Sequence, residues 1–124
     1  TAPVTTFTPA RILDTRPGQP TVDGIDQGAG MWQPNTQYRI SVQGRLGVQP
    51  GSRTIIVNVT AISSANGYVT ISKCDQPASG STVNMGPGRT AANTVVVELT
   101  GGMELCGRTS VPAQVLIDVQ ATTH

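Results

Sequence analysis

The stretch Pro9–Gly24, PARILDTRPGQPTVDG, gathers Asp14, Thr15, Arg16 and Asp23 in a chain where charge is scarce. A carboxylate, a hydroxyl and a guanidinium in a row suit three kinds of chemistry. They can move a proton, grip the carboxylate of a sugar or peptide, or tie a corner of the backbone. An Asp just before Pro17-Gly18 can accept backbone N–H groups as an Asx-turn does. Arg16 can then fork onto a carboxylate or onto loop carbonyls. We read Asp14, Thr15 and Arg16 as a structural corner that pins the following loop to the first strand. A little further on, DGIDQG sets Asp23 and Asp26 three apart in a Gly-rich loop. Oxygen ligands from such a loop suit calcium, so the pair is a calcium candidate, although the spacing is not that of an EF-hand. Asp-Gly is equally a common turn.

The rest of the reactive inventory is thin. The single histidine is His124, at the last position, which leaves no Ser-His-Asp or Cys-His arrangement on a rigid element. Two cysteines without histidine do not make a closed zinc set, and no Gly-rich phosphate loop is present. A carboxylate pair for glycoside hydrolysis would have to come from Asp14, Asp23, Asp26, Asp75, Glu98, Glu104 and Asp118. Most of these fall near turns or on outward strand positions. The sequence therefore predicts a protein that is not an enzyme and needs no cofactor or metal beyond the calcium candidate. For stacking on a sugar ring the candidates are Trp32, Tyr38 and Tyr68, with Trp32 equally suited to anchoring its own loop.

These residues must be held by strands. No window shows a sustained helical apolar stripe, whereas alternation is frequent. TQYRISV places Tyr38, Ile40 and Val42 on one face. RTIIVNVTAI turns Ile55, Val57, Val59 and Ala61 inward. Val69 with Ile71, Val95 with Val97 and Leu99, and Val115 with Ile117 and Val119 each share a face. Shorter candidates are VTTF, RIL, STVNM and MELCG. Turn signals separate them: Pro17-Gly18, Pro50-Gly51, Asn66-Gly67, Pro87-Gly88 and Gly101-Gly102. Asn66-Gly67 predicts a tight hairpin between TIIVNVTAI and YVTIS, and Gly101-Gly102 one between TVVVEL and MELCG. Residues 17–35 carry no strand pattern and predict a long packed loop. Gly44-Arg45, Gly88-Arg89 and Gly107-Arg108 form a weak echo, compatible with a recurrent corner in which Arg binds loop carbonyls. The expected fold is all-β: one antiparallel sandwich over 1–124, Ig-like or jelly-roll-like, of eight or nine short strands.

Composition narrows the partners. Only 12% of the 124 residues are charged and the net charge is +1, which gives no electrostatic footprint for nucleic acid or an anionic membrane. No apolar run approaches the ~20 residues of a membrane-spanning helix, so no membrane insertion is expected. Among its 8 Lys and Arg residues only Lys73 is a lysine, which suits structured hydrogen bonding better than solubility. The start at Thr1 fits a mature chain freed of a signal peptide. The even cysteine pair, Cys74 and Cys106, suggests an oxidising compartment, with two buried free thiols as the alternative. If bridged, the pair closes a loop of roughly 33 residues, worth roughly 3–4 kcal/mol in the chain-entropy model.

The opening FTPARILDTRPG resembles the PxRLLDTR opening of a module widespread in secreted and cell-surface proteins of actinobacteria and related bacteria. The likeness continues through TVDG, ISVQGRLGVQPGSRTIIVNVTAI, GYVTIS with the first Cys, STVNMGPGRTAANTVVVEL, the second Cys and VLIDVQA. It covers nearly the whole chain. It implies a β-rich extracellular module and supports the cysteine pair, but implies no defined activity. This chain departs from the pattern in being a single module and in lacking the aromatic ending many members show.

Three functional classes follow. The first is a non-catalytic structural or assembly module of a bacterial cell surface, secreted filament or particle, with other copies of itself or a surface polymer as partner. In that reading residues 1–8, TAPVTTFT, can pair with a neighbouring subunit's sheet edge. The second is a carbohydrate-binding, lectin-like module. The third is a carboxylate-pair hydrolase. The inventory favours the first.

Overall fold

A computed structural model describes residues 4–43, 45, 54–74, 83–99 and 103–123. These form eight strands: β1 (Val4–Asp14), β2 (Tyr38–Ser41), β3 (Thr54–Ile62), β4 (Gly67–Lys73), β5 (Val83–Met85), β6 (Thr90–Glu98), β7 (Glu104–Thr109) and β8 (Gln114–Thr123). Two antiparallel four-stranded sheets pack face to face, ordered β1-β8-β3-β6 and β2-β7-β4-β5. The first strand thus pairs with the last, the second with the seventh, the third with the sixth and the fourth with the fifth. This is the winding of a jelly roll: one long double-backed ribbon rolled so that successive pairs fall in alternate sheets.

The alternation of the strands fills the space between the sheets. Ile55, Val57, Val59 and Ala61 of β3 and Val115, Ile117 and Val119 of β8 are fully buried from one side. Ile40, Val69, Val83 and Leu105 meet them from the other. Interior side chains of this kind contribute about 1.5–3 kcal/mol each on burial.

Two expected hairpins are not hairpins. β3 and β4 lie in different sheets, so Asn66 and Gly67 carry the chain across the sandwich. β6 and β7 are likewise in different sheets, and Gly101-Gly102 lies outside the described residues, as do Pro50-Gly51, Asp75 and His124. Gly67 is tightly enclosed, since a Cβ there would meet Val111 and Ser110 side chains. A turn signal fixes a change of direction; which sheet receives the next strand depends on where its apolar face finds cover.

VTTF and RIL merge into the single strand β1. Its backbone pairs with the chain's own β8 from Val4↔Thr123 onward, so the described part of the N-terminal segment lies in its own sheet. The register shifts between Thr6 and Ala10 and again between Arg11 and Leu13. Pro9, which has no N–H to give, falls inside the first irregularity on this edge strand.

Cys74, at the end of β4, and Cys106, in β7, form a disulfide with Cα atoms 4.8 Å apart. It joins two strands already paired side by side, and both sulfurs are buried. No helix among the described residues is long and apolar enough to cross a membrane.

Candidate functional site

The DTR segment sits where β1 ends against β8. Asp14 is wholly buried, and four bonds surround its carboxylate. Oδ1 accepts the Arg16 backbone N–H at 3.0 Å and Arg16 Nε at 3.0 Å. Oδ2 accepts Arg16 Nη2 at 2.9 Å and Arg11 Nη1 at 3.2 Å. Arg11 reaches on to Asp118 of β8 with two bonds, at 2.9 and 3.2 Å. Burial alone would raise the Asp14 pKa, but the Arg16 side-chain and backbone bonds, its charge, and the Arg11 bond outweigh burial, so the carboxyl titrates below its ordinary value. Hydrogen bonds to the carboxylates, that of Asp118 first for Arg11 and that of Asp14 first for Arg16, hold both guanidiniums above theirs.

Thr15, also wholly buried, takes over where the β1–β8 ladder stops. Its N–H donates to Val115 O at 3.2 Å, its Oγ1 accepts Val115 N–H at 2.9 Å, and its hydroxyl donates to Gln114 Oε1. The long loop is then laid along this corner by its own backbone. Asp14 N–H donates to Asp26 O at 3.1 Å, Ala29 N–H to Asp14 O at 3.4 Å, and Gly30 N–H to Thr15 O at 3.1 Å.

The loop's carboxylates face a cation from far along the chain, Arg45. Arg45 is 4% exposed, and its guanidinium fills the space between them. Nε donates to Asp23 Oδ2 at 2.7 Å and Nη2 to Asp23 Oδ1 at 3.0 Å, while Nη1 donates to Asp26 Oδ2 at 3.2 Å. The same group donates to the carbonyls of Ile12, Ile25 and Ser41 at 2.7, 3.0 and 3.0 Å. The Arg45 hydrogen bond, with Ile25 N–H and the Arg45 charge in support, holds the Asp23 carboxyl below its ordinary value against partial burial. In this structure the cation that faces Asp23 and Asp26 is the Arg45 guanidinium, and a calcium ion between them would have to displace it. The described residues contain no cluster of three or more His, Cys, Asp or Glu side chains suited to a metal.

Of the three Gly-Arg echoes, Arg45 is the one whose side chain binds backbone carbonyls among the described residues. Arg89 follows the turn before β6, and Arg108 lies inside β7. The echo is not a structural repeat.

The three aromatic candidates do not form one platform. Trp32 is buried at 2% exposure and stacks on Tyr38, with ring centroids 4.6 Å apart and planes within 3°. Its indole lies over Gly107, where a Cβ would overlap the ring, and its backbone exchanges bonds with Ala113 at 2.9 and 3.0 Å. Tyr38 Oη accepts Gln33 N–H at 2.7 Å. Trp32 is thus enclosed and has no surface to offer a ligand, while Tyr38 stays half-buried beside it. Tyr68 is separate, on the outer face of the other strands, and 46% exposed.

Each described carboxylate lies within ion-pair distance of an Arg or Lys: Asp14, Asp23, Asp26 and Asp118 as above, Glu104 with Arg39, and Glu98 with Lys73. Comparison of the chain with family models, with curated proteins and with solved structures finds no match.

Proposed function

We propose that this chain is a non-catalytic structural or assembly module of a bacterial extracellular surface, filament or particle, and that it assembles through the edge of β6. The four sheet edges differ, and that difference carries the reading. Natural edge strands are blunted by shortness, proline, bulges or charge. β2 spans Tyr38–Ser41 and β5 only Val83–Met85, and β1 carries Pro9, Arg11 and two register shifts. β6 has none of these protections. It pairs with β3 from Thr90 to Glu98 without a shift, contains no proline, and has no charged side chain before Glu98. Ala92, Thr94 and Val96 are exposed, Val96 at 67%. One N–H along it, that of Thr94, is taken by the side chain of Asn93 at 3.0 Å.

An extended strand is what such an edge recognises. A second β6 in antiparallel alignment about a two-fold axis joins two four-stranded sheets into one and closes the contact on itself. Centred on Thr94, that pairing sets Glu98 opposite Thr90 of the other copy and keeps the two carboxylates apart.

Other observations support the non-catalytic part. A general acid needs a raised carboxyl pKa, whereas Asp14 and Asp23 are both held down by arginines. The disulfide suits an oxidising, extracellular compartment, and the resemblance to secreted actinobacterial modules points the same way. The winding is neutral, since jelly rolls serve in capsids and lectins alike.

Sedimentation and negative-stain microscopy of the purified chain test the proposal against an Ala92→Lys/Val96→Lys variant. Dimers or larger ordered assemblies are expected, reverting to monomers in the variant. A parent chain that stays monomeric at high concentration overturns it.

A further inference from the structure

The outer face of the β2-β7-β4-β5 sheet carries a groove of about 520 Å³, lined by Tyr68, Arg108, Ser110 and Asn35 among others. That volume is in the range of small-ligand sites. Val69 pairs with Thr109 and Thr70 with Arg108, so Tyr68 on β4 and Arg108 on β7 are diagonal neighbours on one face. Tyr68 is the one exposed aromatic ring among the described side chains. Its position is fixed by the backbone. Ser110 N–H donates to Tyr68 O at 2.9 Å, and Tyr68 N–H donates to Ser110 Oγ at 2.9 Å. Ser110 thereby keeps its hydroxyl proton for a ligand.

Arg11, Arg16, Arg39 and Arg45 each hold a carboxylate. Arg89 and Arg108 make no ion pair among the described residues, and of the two Arg108 is the one that lines the groove, exposed beside the tyrosine. Asn35, exposed and in a left-handed backbone position at φ 64°, also lines the groove.

We propose that this groove binds a carboxylated sugar ring. The Tyr68 ring stacks on the C–H face of the pyranose, and Arg108 takes the carboxylate with its planar fork. Asn35 and Ser110 exchange hydrogen bonds with ring hydroxyls. A neutral amide and hydroxyl set around a single guanidinium matches one carboxylate per ring, which is the charge density of a polyuronate. The groove lies on the sheet that β6 does not belong to, so the proposal stands independently of assembly through β6.

Calorimetric titration with polygalacturonate, a neutral galactan and polyglutamate tests it. The parent chain is expected to bind polygalacturonate and neither of the others measurably. Arg108→Gln and Tyr68→Ala should each weaken binding by about tenfold or more, since a hydrogen bond to a charged group is of that order. Arg108→Lys should fall between, and Tyr68→Phe should retain most of the affinity. Melting temperature and near-ultraviolet circular dichroism verify that each variant is folded. Unchanged affinity in Arg108→Gln overturns the proposal. So does polyglutamate bound as tightly as polygalacturonate, or no binding of the polyuronate by the parent. Repeating the titration on Ala92→Lys/Val96→Lys separates the two ideas: affinity kept in a monomer leaves this site standing whatever becomes of the edge.

Discussion

Replacing Arg45 by methionine removes six hydrogen bonds while keeping most of the side chain's volume. Removing one partner of a buried ion pair typically costs about 3–5 kcal/mol, because the other is left without a counter-charge. Here Asp23 and Asp26 are 27% and 34% exposed and can rehydrate, which places the cost near the lower end, about 3 kcal/mol. The carbonyl of Ile12 loses its donor in a buried setting, which keeps the cost from falling much further. For a domain of this size a change of 1 kcal/mol moves Tm by roughly 3–6 °C, so Arg45→Met should melt about 10–15 °C below the parent. Arg45→Lys keeps the charge but not the planar fork and should lose roughly half as much. Scanning calorimetry reads the shift, and limited proteolysis should show faster cutting between Thr21 and Asp26. A methionine variant melting within about 3 °C of the parent refutes the view that Arg45 holds the corner together.

Other expectations rest on the same geometry. Asp14→Ala leaves the Arg16 N–H and guanidinium without their acceptor and takes one of Arg11's three bonds, and it should cost about 1–3 kcal/mol in urea unfolding; equal stability would argue against a structural corner. Asp14 and Asp23 both titrate below the ordinary carboxyl value when folded, so the unfolded chain takes up protons first as pH falls. Their contribution should be complete above about pH 5 and be lost progressively below about pH 4. Asp14→Asn should flatten that acid limb in pH-dependent unfolding. Gly107→Ala drives a methyl into the Trp32 ring and to 3.0 Å from Ile71 Cδ1. It should cost about 1–3 kcal/mol and shift the emission of the sole tryptophan, read by fluorescence. Calcium should leave the parent's Tm unchanged, because Arg45 already occupies the Asp23 and Asp26 carboxylates; a clear rise would return them to the metal column.

The strands were legible because their signal is local. Alternating Val and Ile in 54–62 and 114–120 marks a buried face whatever lies opposite, and those side chains are the ones buried. Pairing is not local. Asn66-Gly67 announces a reversal, but whether β4 joins β3's sheet or the facing one is settled by distant strands such as β7 and β8. The site divides in the same way. Asp14 beside its own turn could be read as a corner, since one of its main partners, Arg16, is two residues away. Arg45 stands 33 residues from the Ile12 carbonyl and 22 from Asp23, and only the folded loop brings them together. Two carboxylates in a Gly-rich loop therefore looked like metal ligands, because the cation they serve was out of sight along the chain. Trp32 could be read as a loop anchor; its stacking on Tyr38 and the gap at Gly107 could not. Tyr68 and Arg108 lie on strands paired only in the fold, so no spacing along the chain links them.

The pairing of the first strand with the last also sets an order of events. Arg11 and Asp118 are 107 residues apart, and until β8 exists β1 has no neighbour in its sheet. Bringing ends so far apart together costs about 4 kcal/mol of chain entropy, and folds dominated by such distant contacts form in milliseconds to seconds. A growing or threading chain of this kind cannot complete either the sheet or the DTR corner early. The edge where β1 docks stays open until the final strand is free.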